Sequence, residues 1–204
     1  MAFGDREGAM GWLIGGPHHG LACMFTMMNE ARLSTGLQGV AIAERAFQQA
    51  LAYSKMRRQG RDSAGRLMAI AEHPDVRRML LTMRALTLAG RAIAYTAAGT
   101  IDRSHRAPDD ATRQLAASRA ALLTPIVKAF SGEVGFEVAS LNVQVHGGMG
   151  FVEETGAAQY LRTHALSRST RAPTAFRRSI SSCARSSGTM APRRKLKLAS
   201  SVAV

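Results

Sequence analysis

The stretch VQVHGGMGFVEETGAAQYLR, residues 143–162, decides how the chain is to be read. Before it, residues from about Glu133 to Val145 carry helical spacing, and His146-Gly147-Gly148-Met149-Gly150 stops them. Adjacent glycines at a helix end permit a backbone turn with positive φ. Such a pair serves either as an ordinary C-terminal cap or as a surface that another group can approach closely. The segment ETGAAQYLR beyond it is predicted to be helical again.

Working back towards the N-terminus, a third helix is predicted from about Asp109, with Leu115, Leu122, Ile126, Val127 and Phe130 inward and Pro125 placed to kink it. HRAPDD, residues 105–110, separates it from a second helix that opens at His73-Pro74-Asp75. Proline suits a first helical turn, and an acid there is favoured by the helix dipole. Val76, Met79, Leu80, Met83, Leu86, Gly90 and Ile93 trace the apolar face of this helix. The first long helix carries Leu33, Leu37, Val40, Phe47 and Leu51 and is expected to end in KMRRQGR, with Gly60 as its stop. In front of it, GAMGWLIGGPHHG (Gly8 to Gly20) reads as a strand closing in a Gly/Pro turn. The expectation is an all-α, up-and-down helical bundle with a β-strand remnant at its N-terminus.

Aromatic residues make up only 5% of the chain, so Leu, Ala, Met and Val must fill the core. The net charge of +13 points to nucleic acid until it is located. Residues 163–204 hold nine Lys/Arg and no acid, which leaves +4 on residues 1–162. The tail reads as a solvated, disordered basic segment, and no zinc, RNP or helix-turn-helix signature accompanies it. A nucleic-acid arm is the weaker alternative. Cys23 and Cys183 form no disulfide framework or metal spacing. With no apolar run long enough to span a membrane and no leader pattern, a cytoplasmic location is expected.

Single residues say less. His18 and His19 are neighbours, poor geometry for one metal, and read as a solvated turn; no metal site is expected. Cys23 reads as a small buried side chain, and Met24-Phe25-Thr26-Met27-Met28 as core filler. Arg57-Arg58-Gln59-Gly60-Arg61 is either a phosphate site or a charged helix end.

Taken in order, GLACMFTMMNEARLSTGLQGVAIAERAFQQALAYSKMRRQGR (residues 20–61), HPDVRRMLLTMRAL (73–86) and VQVHGGMGFVEETGAAQYLR strongly resemble the C-terminal all-α domain of acyl-CoA dehydrogenases. The likeness is to the branch of 3-methylmercaptopropionyl-CoA dehydrogenase-like enzymes and covers most of residues 4–162. It implies the end of a β-domain over residues 1–19, the helical domain over 20–162 and a tail over 163–204. It implies FAD as cofactor, acyl-CoA as substrate, an electron-transfer acceptor and a homo-oligomer joined through the bundle. In such enzymes an arginine after the first long helix reaches the FAD diphosphate of a neighbouring subunit. The matching position is Arg57, with Arg58 and Gln59 adjoining. The Q-x-x-G-G-x-G element, here Gln144, Gly147, Gly148 and Gly150, lines the adenosine side. Asn29 and Arg32 match the part of the bundle that faces the acyl-CoA pocket, and Asn29 replaces the aspartate common in the family.

The family reaction removes a proton α to the thioester and passes a hydride from the β carbon to flavin. It needs a carboxylate base, carried by a segment like DARIxxIYEGTNGIQ that should follow QYLR. Here THALSRSTRAPTAFRRSISS follows instead. Restoring one nucleotide after the Arg162 codon, with suitable synonymous codons, turns that string into DARIVAIYEGTNGIQAIDLV. The tail therefore reads as the right gene in the wrong frame, with the catalytic Glu codon straddling Thr170 and Arg171. The chain is expected to be a fragment without dehydrogenase activity by itself. The alternatives are a helical self-association or partner-binding module and, last, a basic nucleic-acid binder.

Overall fold

The computed structural model describes residues 11–13 and 15–169. Three long helices dominate: α1 (Gly20–Met56), α2 (Pro74–Arg106) and α3 (Asp110–His146), with a shorter α4 (Ala157–Ser169). α3 packs against all the others, and α1 and α2 lie against it and against each other. None of these helices is long and apolar enough to cross a membrane. The all-α up-and-down reading holds. Its bounds for α2 hold as well, because Pro74 takes the first helical position and Asp109 caps the helix that follows. The Asp109 side chain accepts from the Thr112 N–H at 2.7 Å, and the Thr112 side chain, together with that N–H, holds its carboxyl below the usual aspartate range.

Two elements differ from expectation. The predicted third and fourth helices are one helix, continuous through Pro125 and through Ser131-Gly132, where the break was expected. Both of the latter residues are buried, and Ser131 lies against Gly39 of α1, so packing holds the helix where local propensity is weak. The first helix stops at Met56 rather than running on to Gly60. Arg58–Arg61 form β1, paired antiparallel with β2 (Leu67–Ala69). The signal for this hairpin is Asp62-Ser63-Ala64-Gly65: the Asp62 carboxylate accepts from the N–H groups of Ala64 and Arg66, both at 2.9 Å, and Gly65 takes φ +79°. The proposed front strand is not seen in residues 11–13, and residues 15–18 form turns; the rest of it, 1–10 and 14, lies outside the described residues.

The core is built from small side chains. Ala43, Ala46 and Ala50 of α1 meet Met83 of α2 and Val134 and Val138 of α3, while Val40, Ala94, Ala97 and Val127 form a second cluster. Backbones come close enough for this because glycines sit at the crossings. A Cβ on Gly36 would stand 2.5 Å from Val127 Cγ1. Helical spacing correctly placed Val40, Met79, Leu80, Met83 and Val127 inside, but it overrated bulk elsewhere. Leu115, Leu122 and Ile126 are exposed, since α3 turns Ala116, Ala120, Thr124 and Val127 inward. Cys23, Met24 and Met27 are exposed too, because none of the described side chains in the first turns of α1 is buried. α4 runs past Arg162, the expected end of the helical domain, to Ser169. His164 on it is fully buried and donates from Nε2 to the Gly132 carbonyl at 2.7 Å. The rest of the expected disordered tail lies outside the described residues.

One polar tie joins α1 to α2: Arg91 Nη2 donates to Glu44 Oε2 at 2.7 Å, both side chains about one third exposed. A hydrogen bond from Gln48 and the Arg91 cation hold the Glu44 carboxyl below its ordinary range. Its stabilising effect is therefore complete above the unfolded glutamate pKa and disappears as pH falls through the lower folded value. Glu44→Gln should lower stability by about 0.5–1 kcal/mol at neutral pH, with no difference from the parent in acid. Urea melts of both proteins across pH 3–7 (roughly the span in which glutamate titrates) check the sign.

Candidate functional site

Arg57 is the residue at which α1 becomes a strand. Its N–H closes the helix onto the Tyr53 carbonyl at 2.8 Å, and its own carbonyl accepts from the Ile70 N–H at 2.9 Å. The backbone is thus held twice, while the guanidinium takes no part in either bond. β1 bulges before Arg61, where Gly60 adopts φ +83°. Opposite it stands His73, the residue before α2, whose Nε2 lies 2.8 Å from the Gln59 carbonyl. A carbonyl only accepts, so Nε2 carries the proton. That bond pins the strand after Arg57 to the start of α2.

The second wall is the end of α3. Gly147 turns the chain with φ +58° and ψ −136°, and its N–H reaches the Gln144 carbonyl. Gly147–Gly150 then form a short 3₁₀ turn. Neither Gly147 nor Gly148 has another group within 4 Å of where a Cβ would be, so their backbone is open to an incoming molecule. Gly150 is the opposite case: it is buried, and a Cβ there would collide with the Val143 carbonyl.

Buried and half-buried hydrogen bonds hold the two walls together. Gln49 of α1 accepts from Asn142 Nδ2 at 2.9 Å and donates to the Thr155 carbonyl at 2.5 Å, which ties down the segment after the glycine turn. His146 Nδ1 donates to the Asn142 carbonyl at 2.8 Å, and its ring stacks on Tyr53 at 4.1 Å between centroids. Between the walls lies a cleft of about 580 Å³, a volume ordinary for a small-molecule site. Arg57, Gln59, Gln144, Gly147 and Gly148 all line it, joined by Tyr53, His73 and His146. Among the described residues that line it there is no carboxylate, and Arg57 is a cation. The positive end of α2 opens there as well.

Five of the sequence-predicted cofactor residues therefore meet in one place. Arg58 does not join them, for its guanidinium donates to the Leu67 carbonyl across the hairpin at 3.2 Å. Gly150 supports the turn from beneath. Asn29 and Arg32 lie near the other end of α1, about 40 Å along the helix from Arg57. They bond to each other at 3.3 Å, and Arg32 covers the Phe25 ring. His18 and His19 are exposed in the turn before α1, and no cluster of potential metal ligands occurs among the described residues. Thr170 and Arg171 lie outside the described residues. His73, Tyr53 and His146 line the cleft although the sequence does not mark them as site residues; the place of His73 beside a first-turn proline is its available signal.

The family described as acyl-CoA dehydrogenase, C-terminal domain, matches residues 18–173. The 3-methylmercaptopropionyl-CoA dehydrogenase of Ruegeria pomeroyi is 53% identical over 161 residues, which is 78% of this chain and 27% of that one. A butyryl-CoA dehydrogenase of Syntrophomonas wolfei is 37% identical over 79% of this chain and 28% of its own. The chain thus spans about a quarter of the length of the curated relatives it matches. Among solved structures, the butyryl-CoA dehydrogenase of Megasphaera elsdenii superposes with a TM-score of 0.65 at 20% identity, covering 84% of this chain and 40% of that one. At that identity the likeness speaks for the fold.

Proposed function

The chain belongs to the acyl-CoA dehydrogenase family through the C-terminal helical domain, and from that premise we propose that its cleft holds the diphosphate and adenosine side of FAD for a neighbouring subunit. The observation that carries this is convergence. Arg57 and Gln59 come from the end of α1 and from β1, Gln144, Gly147 and Gly148 from the end of α3, and all five line one cleft whose described lining holds no carboxylate.

The residues suit a dinucleotide. Arg57 offers a planar fork of donors to diphosphate oxygens. The open backbone of Gly147 and Gly148 admits a flat group at a distance that any side chain would deny. Gln144 places an amide able to donate and accept on the same wall. His73, by fixing the Gln59 carbonyl, sets the position of the strand that follows Arg57. FAD, when bound, supplies the acceptor for the hydride that leaves the acyl chain. Asn29 and Arg32, at the far end of α1, are assigned to the acyl-CoA side. The β-domain end is assigned to residues 1–19, the helical domain to 20–162 and the out-of-frame tail to 163–204. In the restored frame the catalytic glutamate falls at Thr170/Arg171, so this chain by itself binds part of the cofactor and does not turn over. Acyl-CoA, an electron-transfer acceptor and a cytoplasmic setting belong to the same reading.

Titration of the full chain with FAD and with ADP tests it. Similar affinities are expected, since the ADP half makes the contacts, with no flavin bleaching by an acyl-CoA. Failure of both to bind at millimolar concentration would sink the cleft assignment. Stoichiometric FAD reduced by acyl-CoA would overturn the inactivity of the chain.

A further inference from the structure

Two imidazoles line the cleft, and the protein fixes which nitrogen of each carries the proton. His73 donates from Nε2 to the Gln59 carbonyl at 2.8 Å, and His146 donates from Nδ1 to the Asn142 carbonyl at 2.8 Å. A carbonyl has no proton to give, so in each neutral ring the other nitrogen is left as an acceptor. His146 is the more closely held of the two. Its ring stacks on Tyr53, with centroids 4.1 Å apart and planes 22° from parallel. Tyr53 in turn packs on the core cluster that contains Ala43, Met83 and Val138. Only 5% of His146 is exposed, and it lines the cleft. A ring flip would exchange Nδ1 for a carbon and lose the bond to Asn142, so Nε2 is held pointing away from that carbonyl.

An acceptor is out of place against a diphosphate, whose ionised oxygens also only accept. It suits a group with a proton to give. The adenosine side of the cofactor offers such a group in the amino substituent of adenine. Gly147 and Gly148 follow His146 directly in the chain, and neither has another group within 4 Å of where a Cβ would stand. A flat base admitted to that open backbone meets the end of α3, where His146 sits. The cleft thus divides its chemistry between its walls. Arg57, at the end of α1, is a cation suited to phosphate oxygens, whereas His146, at the end of α3, is a neutral acceptor suited to the base.

We propose that His146 reads the base of the bound nucleotide: Nε2 accepts a hydrogen bond from the adenine amino group, which makes His146 a specificity-determining residue of the cleft. This rests on the assignment of the cleft to the adenosine side of FAD, and a pair of nucleotides separates the two. Inosine diphosphate (IDP) has the same diphosphate as ADP and a carbonyl in place of the amino group. Titrated into the full chain at about pH 8, where histidine is ordinarily neutral, ADP should bind about tenfold or more tightly than IDP, because IDP sets an acceptor against an acceptor. His146→Phe keeps a ring for Tyr53 and removes the acceptor. The Asn142 carbonyl keeps its backbone partner within α3, so circular dichroism should not change. In that variant the affinity for ADP should fall to that for IDP, while IDP loses nothing. Equal affinities in the parent overturn the proposal and leave the cleft assignment standing. Failure of both nucleotides to bind at millimolar concentration overturns the cleft assignment and the proposal with it. A preference for ADP that survives in His146→Phe shows that another group reads the base, and overturns the role of His146. Should the variant fail to fold, the nitrogen NMR resonance of His146 Nε2 in the parent decides. ADP should shift it as a donated proton does and IDP should not; a resonance that ADP leaves unmoved overturns the proposal.

Discussion

Arg57→Ala is expected to lower the affinity of the chain for FAD about a hundredfold, and for ADP by the same factor. Two charge-assisted hydrogen bonds to a diphosphate are worth about 3 kcal/mol together in a half-enclosed cleft, which is the energy of that ratio. Arg57→Lys should recover only part of it, because an ammonium cannot present a planar fork. The loss should shrink as salt is raised, since Arg57 is exposed and its field is screened. The fold gives a control. Arg57 is tied into the protein through its backbone N–H and carbonyl, and its side chain takes no part in those bonds. Thermal melting of the variant should therefore match the parent. Unchanged affinity for both ligands would remove Arg57 from the site.

The largest effect on stability is expected at Gly39, where α1 crosses α3. A Cβ there would press into the Ser131 carbonyl and come within 2.8 Å of its carbon. Backbone cannot move aside as a flexible side chain does, so the helices must part. Gly135 lies across the same crossing, where its own Cβ would reach the Gly39 carbonyl at 2.9 Å and the buried His164 ring. Gly39→Ala gains about 1 kcal/mol in helix propensity but should lose about 3 kcal/mol or more net from overpacking. In a domain of this size that lowers the melting temperature by about 6–12 °C. Gly99→Ala supplies the contrast: the same substitution in a helix, with open space around the new methyl, should stabilise by about 0.5–1 kcal/mol. Equal effects at the two sites would show that the crossing is looser than the structure describes.

What could be read in advance was whatever local chemistry writes down. Pro74 opens α2 because its missing N–H costs nothing in a first turn, and Gly147 ends α3 because a residue without Cβ tolerates its φ. The hairpin after Arg57 was legible in Asp62 and Gly65 but was masked by a run of cations that also suits a helix end. The cofactor residues were named from a resemblance, and neither spacing nor periodicity placed Arg57 near Gly148. Leu115, Leu122 and Ile126 face outward although their spacing predicts the reverse, because the face that packs is the one whose small residues let backbones approach.

The sequence by itself determined most of the helical segments, the start of α2, the end of α3 and the family, since caps, turns and apolar spacing act over a few residues. The tertiary structure alone decided that α3 runs unbroken through Ser131-Gly132, that the ends of α1 and α3 share a cleft with the start of α2, and that Leu81, Leu88 and Tyr95 of α2 face out. Those outcomes depend on which surfaces meet. At Gly36, Gly39 and Gly135 that choice is made by atoms that are missing, whose effect appears only when a second helix arrives.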